Sequence, residues 1–462
     1  MTENLNSTRR EFLRNIALAG ALSFVRSAQA LARHRSCIIV GAGLSGLTAA
    51  YRLTAAGWKV TVLEARERPG GRVWTWSFDG SPLTCEMGGE WIGNDHKKII
   101  ALCKELNVEL IPHGQSVTML LGRKLYQPGV WQFSDQAHKG WKKFMEEYKR
   151  YTPADKARLD RYDWWEWLAH IGFTPDDLRM RDLLDSLDVG ESIRAASAFA
   201  LADEYAGTDY MNPQWTDEMD FYVRGGNRRL VEALTGRLAP GSVRLSASVE
   251  SITQSATRVT VSTATEHFTA DACIVTTPAG GLSKIRFVPP LPPEQLRASE
   301  QLEYARIIKT QILCSERFWD RDGFSLMSDE TCDSYFHATQ SQPGEQGILC
   351  SYAIGDKADV LAAQDDVYRQ QLITNDLIAY SPKAATCILK IHSQAWQRDP
   401  YTHGAYALYK PGQWFTIRPI LQRPHGKVLF AGEHLADNQG FMDGAVETGE
   451  HAAETLLRTS SS

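Results

Sequence analysis

Apolar positions recur along this chain in two rhythms. Residues 36–40 (Ser36, Cys37, Ile38, Ile39, Val40) form a nearly solid apolar run of strand length. A glycine-rich interruption follows, then a helical pattern over 47–56 and a second strand at 59–63 that ends on Glu64. Strand, helix and strand in that order predict a βαβ unit. Helical spacing returns at 96–106, where Ile99, Ile100, Cys103 and Leu106 share a face, and again over 137–205. The tryptophans of Asp163-Trp164-Trp165-Glu166-Trp167 are expected to pack between those helices. Residues 224–234 read as a turn entering a helix. Further strands are predicted at 243–252, 259–262, 272–277, 307–314, 347–353, 404–409 and 427–431, with a proline-rich connector closing 282–291 and a last helix at 442–457. Dinucleotide-type segments at both ends and in the middle imply two domains interleaved along the chain.

Composition narrows the classes. A chain of 462 residues, 43% hydrophobic and 23% charged, is long enough for two cores. A formal charge of −5 gives no basic field, so nucleic acid is excluded as a partner. The eight cysteines form no CxxC pair and no metal-ligand spacing, so no metal site is expected; several sit in apolar runs and read as core.

The first 30 residues read as an address. Arg9-Arg10-Glu11-Phe12-Leu13 precedes an apolar run at 16–25 and then Ala28-Gln29-Ala30. The run is about half of the ~20 residues that span a bilayer, and the small-x-small triplet suits cleavage. The segment resembles a twin-arginine signal, which implies the Tat translocase as a partner and a periplasmic or other extracytoplasmic destination for cargo folded around a cytoplasmic cofactor.

The glycine motif carries the chemistry. Gly41-Ala42-Gly43-Leu44-Ser45-Gly46 follows a strand and opens a helix, and Glu64 ends the next strand. Glycines there let backbone amides approach a pyrophosphate at the positive end of the helix. Ser45 adds an N–H, and Glu64 is placed to accept from ribose hydroxyls. A second glycine loop follows at once: Ala65-Arg66-Glu67-Arg68-Pro69-Gly70-Gly71-Arg72. Its amides and a guanidinium suit a cofactor bound in extended form.

With that loop the chain resembles the flavin monoamine oxidase family, within the wider group of FAD-dependent amine and L-amino-acid oxidases. Four more segments carry the likeness. Glu86-Met87-Gly88-Gly89-Glu90-Trp91 resembles the loop beside the flavin, and Val249 matches a position whose backbone contacts adenine. Lys309 through Phe318-Trp319 keeps the family's lysine and aromatic pair. Phe430-Ala431-Gly432-Glu433-His434 with Gly440-Phe441-Met442-Asp443-Gly444 matches the C-terminal signature. The likeness implies that Gly432 and Glu433 reach the diphosphate and ribityl chain, and that Met442 offers an N–H to the flavin from a helix start. Trp396 is expected to support the flavin. Ala405 stands where mitochondrial members have their flavin-linked cysteine, so FAD is expected to bind non-covalently.

The implied fold class is α/β. A Rossmann-like FAD domain (35–95, 220–285, 415–460) is interleaved with a substrate domain of mixed or antiparallel sheet and helices (96–219, 286–414, with 137–205 helical). The implied activity is oxidation of an amine C–N bond to an imine, with electrons passed to O2 to give hydrogen peroxide. Tyr406 and Phe441 match the family's aromatic cage, and Lys309 its water-holding lysine. The Gly88-Gly89-Glu90-Trp91 stretch lacks the arginine that often receives a substrate carboxylate, which favours a plain amine. Glu90 and the acids at 163–166 are candidate receivers of a distal cation. An L-amino-acid oxidase for basic substrates, or a dehydrogenase serving a periplasmic electron carrier, are the alternatives. A homodimer is left open.

Overall fold

The computed structural model describes residues 35–212, 219–319 and 323–459; the proposed signal at 1–30 lies outside the described residues. Ser36–Val40 is the central strand of a five-stranded parallel sheet. The order is Val428–Phe430, Ala272–Val275, Ser36–Val40, Lys59–Leu63, Val243–Arg244. The central run is solidly apolar because both of its faces are covered. Cys37 and Ile39 face a core with the helices Leu44–Ala55 and Met442–Thr459, while Ile38 and Val40 face the opposite core with Ile252, Val261 and Phe287. Successive side chains of a strand point to opposite faces, so a strand covered on both sides reads apolar throughout. Burying each such side chain contributes roughly 1.5–3 kcal/mol.

The expected strand at 243–252 is two strands. Val243–Arg244 joins the parallel sheet, and Val249–Gln254 joins a separate four-stranded sheet. Ser246, at φ 53°, turns the chain between them. The apolar pattern is continuous across this turn, so it carried no sign of the break.

A seven-stranded mixed sheet forms the second large layer. Its order is Ile388–Ala395, Ile307–Cys314, Gly347–Ile354, Ser334–His337, Phe324–Ser328, Ser116–Leu121, Lys124–Tyr126. Helices Asp135–Tyr148, Pro153–Leu159, Trp164–His170, Pro175–Val189 and Ala198–Glu204 pack into a core with the tryptophans of the 163–167 stretch. Thr152 and Thr174 close capping boxes with Asp155 and Asp177, each followed by proline at the first helical position. Asp163 is likewise spent on a helix cap, accepting from the Glu166 N–H. All eight cysteines are buried thiols. Among the described residues no helix is long and apolar enough to cross a membrane, and no His/Cys/Asp/Glu group could hold a metal ion.

Candidate active site

A single cavity of about 400 Å³ runs from the first glycine loop to the edge of the seven-stranded sheet. Of the residues expected at the site, Gly41, Gly43, Ser45, Glu64, Arg66, Gly71, Arg72, Gly88, Gly89, Val249, Lys309, Trp396, Tyr406, Gly432, Glu433, Phe441 and Met442 line it. Gly46 lies one step behind. A Cβ there would meet the Gly41 carbonyl at 2.1 Å, so this glycine serves the close packing of loop on helix.

The two glycine loops face each other. Gly70 N–H donates to the Ala42 carbonyl at 2.7 Å, and a Cβ on Gly71 would approach the Gly43 Cα. Gly43 itself has open space on its Cβ side, a cradle in which a ligand can touch backbone. Helix Leu44–Ala55 starts there with no side-chain cap and no acid in its first turn, leaving its amides and positive dipole end to the cavity. The Thr277 hydroxyl on the same wall is buried with no partner among the described residues. Glu64 accepts from Ala42 N–H at 2.7 Å and Arg66 N–H at 2.9 Å, and each oxygen keeps a further lone pair. These features fit an adenine dinucleotide diphosphate.

Two charged side chains on the cavity wall are paired with protein partners. Arg66 makes a two-pronged pair with Asp399 at 2.7 Å on both contacts, so its guanidinium braces the loop after Trp396. Glu433, expected on the ribityl chain, accepts from Arg72 at 2.9 Å, Gly440 N–H at 2.9 Å and Ala407 N–H at 3.3 Å. Its carboxylate therefore ties the two halves of the C-terminal signature to the cage strand. Burial acts to raise the Asp399 pKa, but the Arg66 hydrogen bonds and charge outweigh it and bring it down to about 2. Its contribution to stability is thus full above the ordinary carboxylate value and is lost as pH falls through about 2. Comparing acid unfolding of wild type with Asp399→Asn checks this: the gap between them should narrow only at the acid end.

At the far end, Lys309 is buried in the middle of the strand Ile307–Cys314. Its Nζ donates to Glu90 Oε2 at 2.7 Å, the Gly88 carbonyl at 2.9 Å and the Glu86 carbonyl at 3.2 Å. Three acceptors use all three N–H bonds of an ammonium. Burial alone would lower its pKa, but the Glu90 carboxylate holds it above the ordinary lysine value. Glu90 is thereby paired with Lys309, and the acids at 163–166 do not line the cavity. Neighbouring Glu86 is pushed up to about 8 by burial, so it is neutral below that pH.

The aromatic wall is fixed from behind. Tyr406 sits at φ 29°, a backbone conformation that costs about 1–3 kcal/mol. Side-chain and backbone bonds together hold it. Its hydroxyl donates to the Leu187 carbonyl at 2.8 Å and lies 3.0 Å from the Tyr352 hydroxyl. Its carbonyl accepts from the Ala305 N–H at 3.1 Å, and the preceding Ala405 N–H donates to the Ala305 carbonyl at 3.1 Å. The predicted strand at 404–409 accordingly shrinks to Ala407–Leu408. Phe441 packs on His96 at 4.8 Å between ring centroids, just before helix Met442–Thr459. Trp396 donates its indole N–H to the Met87 carbonyl at 2.8 Å.

The flavin-containing amine oxidoreductase family model matches residues 44–457, nearly the whole described chain. The chain belongs to that family. This amine oxidoreductase therefore takes FAD as its cofactor and oxidises an amine or amino-acid substrate. It is 27% identical to an L-amino acid dehydrogenase of Synechocystis sp., over 91% of this chain and 94% of that one. It is 28% identical to an L-amino-acid oxidase of Protobothrops flavoviridis, over 92% and 89%. In fold it is similar to a putrescine oxidase bound to putrescine (TM-score 0.81, 24% identity, 92% and 99% covered). A cyclohexylamine oxidase from Brevibacterium oxydans is equally similar (TM-score 0.82, 23% identity, 93% and 100% covered).

Sequence reasoning missed Tyr352, Asp188, Gln115, Met327 and Phe336, all on the cavity wall. Tyr352 is the cross-strand partner of Lys309. Its strand is predicted by the apolar run, but the pairing register that sets it beside Lys309 has no local signal.

Proposed function

We propose that this oxidoreductase acts on an amine with no carboxylate on the reacting carbon, and that dioxygen takes the electrons to give hydrogen peroxide. The observation that carries the substrate reading is the state of the cavity's cations. Both arginines among the described lining residues are paired, Arg66 with Asp399 and Arg72 with Glu433. Lys309 is matched by Glu90, and Lys284 donates to the Pro400 carbonyl. Among the described lining residues no guanidinium is left at the substrate end to pair with a carboxylate, and a bidentate arginine is the usual means of binding one.

FAD bound along the glycine loops supplies the hydride acceptor. The chain does the rest. Tyr406 and Phe441 present aromatic walls that exclude water and favour a nitrogen becoming positive. Burial near them disfavours the ammonium form, so the substrate enters the reaction as the neutral amine whose lone pair drives hydride loss. The ion-paired Lys309 keeps a fixed positive charge on the wall of the same cavity. The amine leaves as an imine, which water hydrolyses.

Adding amines and L-amino acids anaerobically to the FAD-loaded enzyme tests the reading. Simple amines should bleach the flavin absorbance and neutral L-amino acids should not. Bleaching by L-leucine or L-phenylalanine but by no amine would overturn it, and would align the protein with its L-amino-acid oxidase relatives. Re-admitting air with peroxide detection separates an oxidase from a dehydrogenase. The Arg9-Arg10 segment supports export through the twin-arginine route to the periplasm. Cell fractionation of wild type against the double variant Arg9→Lys with Arg10→Lys tests that route.

A further inference from the structure

Behind the Gly88-Gly89-Glu90-Trp91 loop lies a second, smaller cavity of about 260 Å³, with room for several water molecules. Exposed Pro82, Arg228 and Ser341 line its outer side, and the buried side chains of Glu86 and Glu90 line its inner side. Glu90 and Trp91 line the active-site cavity as well, so they form the partition between the two. Trp91 is held in that partition by His113 and Phe336, at 5.7 and 4.5 Å between ring centroids.

Two polar atoms on residues of this second cavity are buried with no hydrogen bond among the described residues, Gln340 Oε1 and Glu86 Oε2. Glu86 is anchored by its other oxygen. Oε1 accepts from the Thr75 hydroxyl at 2.8 Å and from the Asn227 N–H at 2.9 Å. A buried polar atom without a partner is costly, and a polar cavity of this size lets water satisfy both. Below about pH 8 Glu86 is neutral, so its carboxyl carries a proton. The charged and titratable groups around it are Glu90 on the loop, Lys309 on strand Ile307–Cys314 and Cys85 on its own strand. Across the cavity stand His113, His337, Arg228 and Arg224, the last paired with Glu109. Burial holds the proton on; Lys309 and the bonds to Oε1 oppose it and are outweighed.

We propose that Glu86 supplies the proton that dioxygen reduction draws from the chain, and that the second cavity is the path along which this proton is passed on and replaced. The inference rests on the oxidase reading above. Two electrons and one proton come from the amine carbon by way of the cofactor, and O2 needs a second proton to become hydrogen peroxide. The O–H bond of Glu86 breaks, and water in the second cavity takes its proton to Glu90. Glu90 meets Lys309 through Oε2 and belongs to both cavities. It gains a proton from one and gives a proton to the other, ending ionised as it began, while the second O–H bond of the peroxide forms. Solvent then reprotonates Glu86 through the outer side of the same cavity. Lys309, whose three N–H bonds are all accepted, stays charged throughout.

The test compares wild type with Glu86→Gln. The amide keeps an acceptor for Thr75 and Asn227 and replaces one neutral group by another, and thermal unfolding with flavin absorbance reports that the variant is folded. In the apoprotein, infrared spectra in H2O and 2H2O should show a carboxylic-acid C=O band that shifts on deuterium exchange and vanishes as pH rises through about 8. Glu86→Gln should lack that band. The FAD-loaded full chain, reduced anaerobically with stoichiometric dithionite, is then mixed with O2 in a stopped-flow instrument. Wild-type reoxidation should be level below about pH 8 and fall above it. Glu86→Gln should be about 100-fold slower, as for loss of a positioned proton donor, with no pH dependence over that range. A slowed variant that keeps the wild-type pH profile has lost structure only, and overturns the proposal. Reoxidation of the variant at the wild-type rate, or a wild type without the exchangeable band, overturns the proton path and leaves the oxidase reading standing. A reduced wild type that does not react with O2 overturns the oxidase reading, and the proposal with it.

Discussion

Replacing Lys309 by Met should cost about 3–5 kcal/mol of stability, because it strands the Glu90 carboxylate in a site from which water is excluded. The double replacement Lys309→Met with Glu90→Gln should recover most of that loss, since the uncompensated charge is gone along with its partner. The rates should not recover. Both variants should hold FAD, whose cradle lies at the other end of the cavity, yet each half-reaction should slow by about 100-fold once the fixed positive charge is missing. Chemical denaturation and stopped-flow reduction and reoxidation separate the two effects. Full rate recovery in the double variant would show that Lys309 serves stability alone.

The second large effect concerns two glycines three residues apart. Gly43→Ala adds a methyl group where the folded chain has nothing within 4 Å, so the polypeptide should fold as before. That space is where the cofactor's diphosphate must touch backbone, and FAD affinity should fall by at least about 100-fold, or ~3 kcal/mol. Gly46→Ala drives its Cβ to 2.1 Å from the Gly41 carbonyl, which side-chain motion cannot relieve. Helix and loop must then separate, and the variant should be poorly folded with or without added FAD. Flavin retention on gel filtration, read beside thermal unfolding of the apoprotein, distinguishes a blocked cradle from a broken one. Equal loss of folding in both variants would mean that Gly43 also has a packing role.

These expectations draw unequally on sequence and on fold. The βαβ unit, the two glycine loops and the C-terminal signature were legible because each is local. Gly41 through Gly46 must sit between a strand and a helix for its amides to converge, and the chain spells out all three parts in order. The solid apolar run at 36–40 announced a strand covered on both faces. Lys309 stood out as a charge in an apolar strand.

What local pattern could not supply was who pairs with whom. Arg66 and Asp399 are 333 residues apart, Arg72 and Glu433 are 361, and Lys309 and Glu90 are 219. Each of these pairings decided a role that the residue's identity left open. The sequence by itself determined the cofactor class and the segments that cradle it, because backbone approach to a diphosphate needs glycines at set spacing. The tertiary structure decided which charges remain for a substrate, because ion pairs form across space and a buried charge is defined by its partner.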